Sequence, residues 1–122
     1  MKVSFPPDTR RVEHMRRLTT AHLKLTGRIA PDKIHTVQLL VSEVVTNAIQ
    51  HGDQRTNVDL LLTWLSPSEV RIDVDDHASG QPHIQRPGPT DESGRGMLLV
   101  AAFAKDWGRV DTRTWCTVEV AS

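Results

Sequence analysis

Ser42-Glu-Val-Val-Thr-Asn-Ala-Ile-Gln-His-Gly52 is the stretch of sequence that decides the fold of this chain. Glu43 and Asn47 are four residues apart, so both side chains point the same way on an α-helix. Residues 39–49 are otherwise mostly apolar, and a helix that is apolar on nearly every side is normally buried. A buried carboxylate and a buried amide are costly unless something pairs with them. A bound metal ion with a phosphate would do so, and an internal hydrogen-bond network is the alternative.

The composition predicts one cytoplasmic domain with a single core, because 122 residues are too few for two cores. Lys and Arg number 15, as do Asp and Glu, and a formal net charge of zero argues against a general nucleic-acid binder. Cys116 is the only cysteine, which excludes an intramolecular disulfide and a cysteine-rich metal site. No apolar run has membrane-helix length, and residues 1–11 lack a signal-peptide core. Neither a membrane nor direct nucleic-acid contact is therefore expected.

The spacing of apolar residues predicts three helices and two hairpins. An amphipathic helix is expected at about residues 9–24, and a second from Pro31 to about His51. Glycines precede a third helix. Its predicted range is 97–105, and the predicted hairpin strands are 57–65 with 69–74 and 108–111 with 114–120.

The predicted fold class is α+β: a two-layer sandwich with the helices packed on one face of a mostly antiparallel sheet. Residues 1–122 form a single domain in this interpretation, and residues 1–7 are a short N-terminal lead-in or a strand. Residues 75–93 form a long polar loop rich in Gly and Pro, and such a loop in a compact domain is usually functional or mobile.

Two motifs flank this loop. Asp76-His-Ala-Ser-Gly80 follows a strand directly, and Ser93-Gly-Arg-Gly-Met97 stands where the loop gives way to a helix. Glycines beside a helix N-terminus let backbone N–H groups approach an anion closely, and the helix dipole favours its negative charge. Alone, such a glycine pair is more often only a flexible helix start.

The order of the motifs is more specific than any one of them. A Glu-x-x-x-Asn helix, an Asp-x-small-x-Gly segment after a strand, and Gly-x-Gly before a helix together resemble the ATP-binding domain of the GHKL superfamily. Within it, residues 42–52 are most similar to the bacterial anti-sigma factor serine kinases. The resemblance covers residues 8–120 and implies a histidine-kinase-like ATP-binding domain with ATP and Mg²⁺ as cofactors.

The resemblance also implies roles for individual residues. Asn47 corresponds to the Mg²⁺ ligand, Glu43 to the general base that takes a proton from the attacking hydroxyl, and Asp76 to the acceptor of the adenine amino group. The remaining residues expected to line the nucleotide are His51, Ala78, Gly80, Gly94, Arg95, Gly96 and Met97. Arg95 would add positive charge near the phosphates.

The function implied by the resemblance is that of an ATP-dependent protein serine/threonine kinase. It would sequester a sigma factor and phosphorylate a Ser or Thr of an anti-anti-sigma (STAS-type) partner, and family members often form homodimers. Ala78 departs from the family, which usually has Gly there, and this narrows the room beside the adenine. A non-catalytic nucleotide-binding switch between proteins is therefore the alternative. A structural domain without ligand would need Glu43, Asn47 and Asp76 all satisfied internally.

Other conspicuous residues have simpler interpretations. His77 is expected either to contact the nucleotide or to be solvated. Trp64, Trp107 and Trp115 are predicted to lie in the core or on a face of the sheet, since aromatic side chains supply large buried area. Cys116 is predicted to be a small buried hydrophobic residue and not a nucleophile.

Overall fold

The computed structural model describes residues 1–78 and 92–121, without the side chains of 92–95. Helix, helix, hairpin, helix and hairpin follow one another as predicted, and residues from the N-terminal lead-in add a strand. In chain order the elements are β1 (Lys2–Phe5), α1 (Arg11–Thr26), α2 (Pro31–His51), β2 (Val58–Ser66), β3 (Glu69–Asp75), α3 (Glu92–Phe103), β4 (Asp106–Val110) and β5 (Arg113–Glu119).

The five strands form one sheet in the order β1-β2-β3-β5-β4, and all four pairings are antiparallel. The two hairpins are joined through β3 and β5, where Ile72 lies opposite Cys116 and Asp73 opposite Trp115. Alternate side chains of a strand point to opposite faces. Ile72 and Cys116 therefore face the helices, whereas Asp73 and Trp115 lie on the outer face.

One face of the sheet and the three helices enclose a single core, which confirms the two-layer α+β architecture. The second helix has Pro31 at its start, and its end is closed by the Gly52 N–H, which donates to the Ala48 carbonyl at 2.9 Å. Among the described residues, no helix has the length and apolar character needed to cross a bilayer. The buried positions of α2 are Val37, Leu40, Val41, Val44, Val45, Ala48 and Ile49.

The core is mostly aliphatic, and of the two positions predicted for the tryptophans, the core or a face of the sheet, the structure shows the second for Trp115, while Trp64 packs against the edge of the core. Trp64 is half-buried and covers Gly27, where a Cβ would come within 2.5 Å of its ring. Trp107 is 41% exposed on the edge strand β4. Trp115 lies on the outer face of the sheet, with the Arg71 guanidinium 4.7 Å from its ring centroid. Valine, leucine and isoleucine fill most of the space between the two layers.

Cys116 is fully buried in β5, as predicted. Burial, with a smaller contribution from the charge of Asp73, raises the pKa of its thiol to about 12. The thiolate is the reactive form of cysteine. Cys116 is therefore a packing residue at neutral pH.

Candidate functional site

Glu43 and Asn47 lie side by side on α2 but are half-buried, not buried as the sequence predicted. The reason is their angular position on the helix. At 3.6 residues per turn, the seven buried residues of α2 share the side that faces the sheet. Glu43 falls on the opposite side and Asn47 at the flank of the buried side, and other elements cover these positions only in part. Both polar groups can therefore be reached from outside the core.

The Glu43 carboxylate points toward the first turns of α3. A Cβ built on Gly96 would lie 2.6 Å from Glu43 Oε2, so the absence of a side chain at Gly96 makes room for this oxygen. Burial raises the pKa of Glu43 above its ordinary value. Within residues 1–78 and 96–121, no hydrogen bond reaches the side chain of Glu43 or Asn47. A half-buried acid and amide side by side can bind a polar ligand.

The raised pKa of Glu43 makes a prediction about stability. A carboxyl whose pKa is higher in the folded state stabilises the fold fully below its unfolded pKa, and this contribution is lost as pH rises through the folded pKa. We therefore expect Glu43→Gln to melt at a higher temperature than the wild type at neutral pH. The difference should shrink as pH falls toward the ordinary range of glutamate. Melting curves measured across this range test it, and an equal difference at every pH would contradict it.

Asp76 lies directly after β3 and beside the C-terminal end of α2. A Cβ built on Gly52 would lie 3.1 Å from the Asp76 Cβ, so this glycine lets the helix end pack against the aspartate. The Asp76 side chain is fully buried. Its Oδ1 accepts a hydrogen bond from the Ala78 N–H at 2.9 Å, and its Oδ2 accepts one from Arg109 Nη2, also at 2.9 Å.

Arg109 and its partner Thr114 are residues of the site that the sequence reasoning missed. Arg109 Nη1 donates to Thr114 Oγ1 at 2.9 Å, which fixes the guanidinium from the second side. Arg109 belongs to β4 and Asp76 follows β3, two strands that are not neighbours in the sheet. In the sequence, only the alternation of side chains along β4 could have indicated the position of Arg109. It puts Arg109 on the helix-facing side of the strand, together with Trp107.

The site therefore extends along α2 between two ends. Gly52 contacts Asp76 at one end, and Glu43 contacts Gly96 at the other. Gly52 is nine positions after Glu43, which is about 13.5 Å along a helix axis at about 1.5 Å per residue. An elongated ligand that makes polar contacts at both ends matches this separation.

The glycines of the third motif lie inside α3 and not before it, which corrects the predicted helix start at residue 97. The helix begins at Glu92, so Gly94, Arg95 and Gly96 belong to its first turns. Glycine costs a helix only about 1 kcal/mol relative to alanine and does not by itself end one. Met97 is half-buried and packs against the core.

Other site predictions fall outside the part of the chain that the structure describes. Gly80 and the side chain of Arg95 lie outside it, and so does most of the segment 75–93 predicted as a loop. His51 is exposed at the last position of α2, and its place near the phosphates stays a prediction.

His77 lies on the outer face of the sheet and not beside the Asp76 carboxylate. Its Nε2 is 2.8 Å from Asp59 Oδ2, and its N–H donates to Asp75 Oδ1 at 3.0 Å. The backbone of His77 has a φ of 52°, which sends its side chain away from the helices. Of the two interpretations open for His77, the partly solvated position agrees with the structure.

A magnesium ion fits this set of donors better than a metal held only by protein ligands. The described residues contain no group of three or more His, Cys, Asp or Glu side chains that could hold a metal ion. Mg²⁺ usually takes only one or two protein oxygens and completes its shell with phosphate oxygens and water. The Asn47 amide oxygen, accessible beside Glu43, suits that role.

Comparison with known proteins agrees with this arrangement. The profile of the histidine kinase-like ATPase domain matches residues 5–119, which is nearly the whole chain. An uncharacterised protein of Streptomyces coelicolor is 39% identical over 71 residues, which are 56% of this chain and 67% of that protein. The matched residues include Gly52 and Asp76 at one end of the site and Glu43 and Gly96 at the other. The chain therefore belongs to the family of histidine kinase-like ATPase domains.

Proposed function

We propose that this protein is an ATP- and Mg²⁺-binding anti-sigma regulatory factor. It sequesters a sigma factor and phosphorylates a serine or threonine of an anti-anti-sigma partner of the STAS type. Family membership implies ATP binding. The observation that carries the proposal is the Glu43 carboxylate, whose pKa is raised by burial and which lies one turn from Asn47 and against Gly96 of α3.

Each residue of the site has a separate role in the proposed phosphoryl transfer. Asp76 would accept a hydrogen bond from the amino group of the base, and the Asn47 oxygen would bind Mg²⁺. Mg²⁺, when bound, neutralises the charge that develops on the phosphates. Glu43 takes the proton from the attacking hydroxyl, and its raised pKa brings it nearer to neutral pH, where a general base is most effective.

The partners and the compartment belong to the proposal as well. A sigma factor and its antagonists act in the cytoplasm, and we place this chain there. A homodimer is part of the proposal. The formal net charge of zero supports a protein partner over direct contact with nucleic acid.

A non-catalytic nucleotide-binding switch is the second candidate function, and the surroundings of Asp76 favour it. Both oxygens of this carboxylate already accept hydrogen bonds from the protein, one of them from the Ala78 N–H. An acceptor that is partly occupied binds the base more weakly. A protein of this kind would hold its partner without transferring phosphate.

Transfer of labelled phosphate from ATP to the purified antagonist separates the two functions. The kinase proposal predicts label on a serine or threonine of the antagonist, dependent on Mg²⁺. Binding of ATP and of the antagonist without label would instead establish the switch. Failure to bind ATP at all would refute both.

Gly96→Ala tests the position of the Glu43 carboxylate. The added methyl group would lie 2.6 Å from Glu43 Oε2, so the flexible end of the glutamate must move. We expect phosphate transfer to fall about tenfold. The melting temperature should change little, because alanine stabilises a helix by up to about 1 kcal/mol relative to glycine, and this gain offsets the cost of moving the glutamate. A loss of stability in parallel with activity would show that Gly96 acts in packing alone.

A further inference from the structure

We propose that Arg109 reads the nucleobase together with Asp76. In this proposal the carboxylate accepts a hydrogen bond from the exocyclic amino group of adenine, and the guanidinium donates one to a ring nitrogen beside that amino group. The inference rests on the proposed nucleotide site and adds a specificity-determining residue to it.

The position of the guanidinium is well defined. Arg109 Nη2 lies 2.9 Å from Asp76 Oδ2, and Arg109 Nη1 lies 2.9 Å from Thr114 Oγ1. A guanidinium held at both terminal nitrogens cannot rotate without breaking one of these bonds, and a planar donor group of fixed orientation gives specificity to the groups it meets.

Both members of the pair retain hydrogen-bonding capacity in the described contacts. An ionised carboxylate can accept about four hydrogen bonds, and those of Asp76 from Ala78 and Arg109 use two sites. A guanidinium has five N–H donors, and the bonds of Arg109 to Asp76 and Thr114 use two of them. The Arg109 side chain is also 23% exposed, whereas that of Asp76 is fully buried. A base that approaches from outside can therefore meet Arg109.

An acceptor next to a donor is complementary to one edge of adenine. Adenine presents an amino donor between two ring-nitrogen acceptors, N1 and N7. Guanine presents a carbonyl oxygen at the position of the amino group, and this oxygen would face the Asp76 carboxylate. The pair of Asp76 and Arg109 thus favours adenine through two contacts, where the carboxylate alone would supply one.

The rival interpretation is that Arg109 only neutralises a buried carboxylate. A buried charge without its partner is strongly destabilising, so such a structural ion pair would be sufficient reason for the arginine. The two interpretations differ in one measurable respect: only base reading makes affinity depend on a single ring nitrogen of the nucleotide.

Calorimetric titration of the wild-type chain with three nucleotides provides the test. They are ATP and two ATP analogues, in which C–H replaces ring nitrogen N1 or N7. We expect one analogue to bind roughly tenfold more weakly than ATP, as for the loss of one hydrogen bond to a charged group. Equal affinity for all three nucleotides would overturn the role of Arg109 but leave the proposed function standing. No binding of any of them would overturn both.

The Arg109→Met variant then tests whether Arg109 causes the preference for ATP over the weaker analogue. The variant should bind ATP and the discriminated analogue with equal affinity, whatever the loss of the Asp76 ion pair does to the affinity for both. Arg113→Met, which removes an exposed arginine from the adjacent strand β5, serves as the control and should keep the tenfold preference. If Arg109→Met also keeps the preference, another group reads the ring nitrogen and the proposal is wrong.

Discussion

Glu43→Gln is expected to slow phosphate transfer to the antagonist by about a hundredfold to ten-thousandfold, the usual range for loss of a general base. Glutamine has nearly the same shape as glutamate but cannot take a proton from the attacking hydroxyl. ATP affinity should stay within about threefold of the wild type, because Glu43 holds neither the base nor the metal in this account. Single-turnover transfer of labelled phosphate and equilibrium titration with ATP measure the two quantities separately.

The stability of Glu43→Gln serves as a control for its folding. Glu43→Gln should be more stable than the wild type at neutral pH, since burial raises the pKa of the carboxyl it removes. A loss of activity in a more stable protein cannot come from unfolding. Glu13→Gln, on the exposed side of α1, makes the same chemical change elsewhere and should transfer phosphate normally. Undiminished transfer by Glu43→Gln would remove this residue from the mechanism.

Asp76→Ala is expected to reduce ATP affinity by at least about a hundredfold and the free energy of unfolding by about 3 kcal/mol. The affinity falls because the variant lacks the acceptor for the adenine amino group. The stability falls because the variant leaves the partly buried Arg109 guanidinium without the carboxylate that now lies 2.9 Å away. Nucleotide titration and denaturant unfolding measure these two effects.

The double variant Asp76→Ala with Arg109→Met separates the two losses. Removal of both members of an ion pair leaves no unpaired charge, so stability should return most of the way to the wild-type value. ATP affinity should remain low, because the acceptor is still missing. Recovery of ATP binding in the double variant would show that Asp76 does not contact the base.

The second helix could be predicted to within a residue because its signals are local. Pro31 is favoured in a first turn, Gly52 follows the last turn, and the apolar pattern between them has a helical period. The same pattern brought Glu43 and Asn47 to one side of the helix. It could not give their exposure, which depends on how far the neighbouring helices extend over that side.

Other features depend on contacts between distant parts of the chain. The pairing of Asp76 with Arg109 requires that the two hairpins join through β3 and β5, and no local pattern sets that register. The size of the tryptophans left two positions open, the core or a face of the sheet, and only the register of β5 against β3 puts Trp115 on the outer face. The start of α3 was misplaced because the glycines were interpreted as its boundary.

Calorimetric titration with ATP, with and without Mg²⁺, measures whether Asn47 and Glu43 face a magnesium-bound nucleotide. We predict that Mg²⁺ tightens ATP binding by the wild type about tenfold, a coupling free energy of about 1.4 kcal/mol. Asn47→Ala should lose this enhancement, and Gln50→Ala, which removes an exposed amide from the same helix, should keep it. Absence of ATP binding by the wild type, or an undiminished effect of Mg²⁺ in Asn47→Ala, would contradict the account.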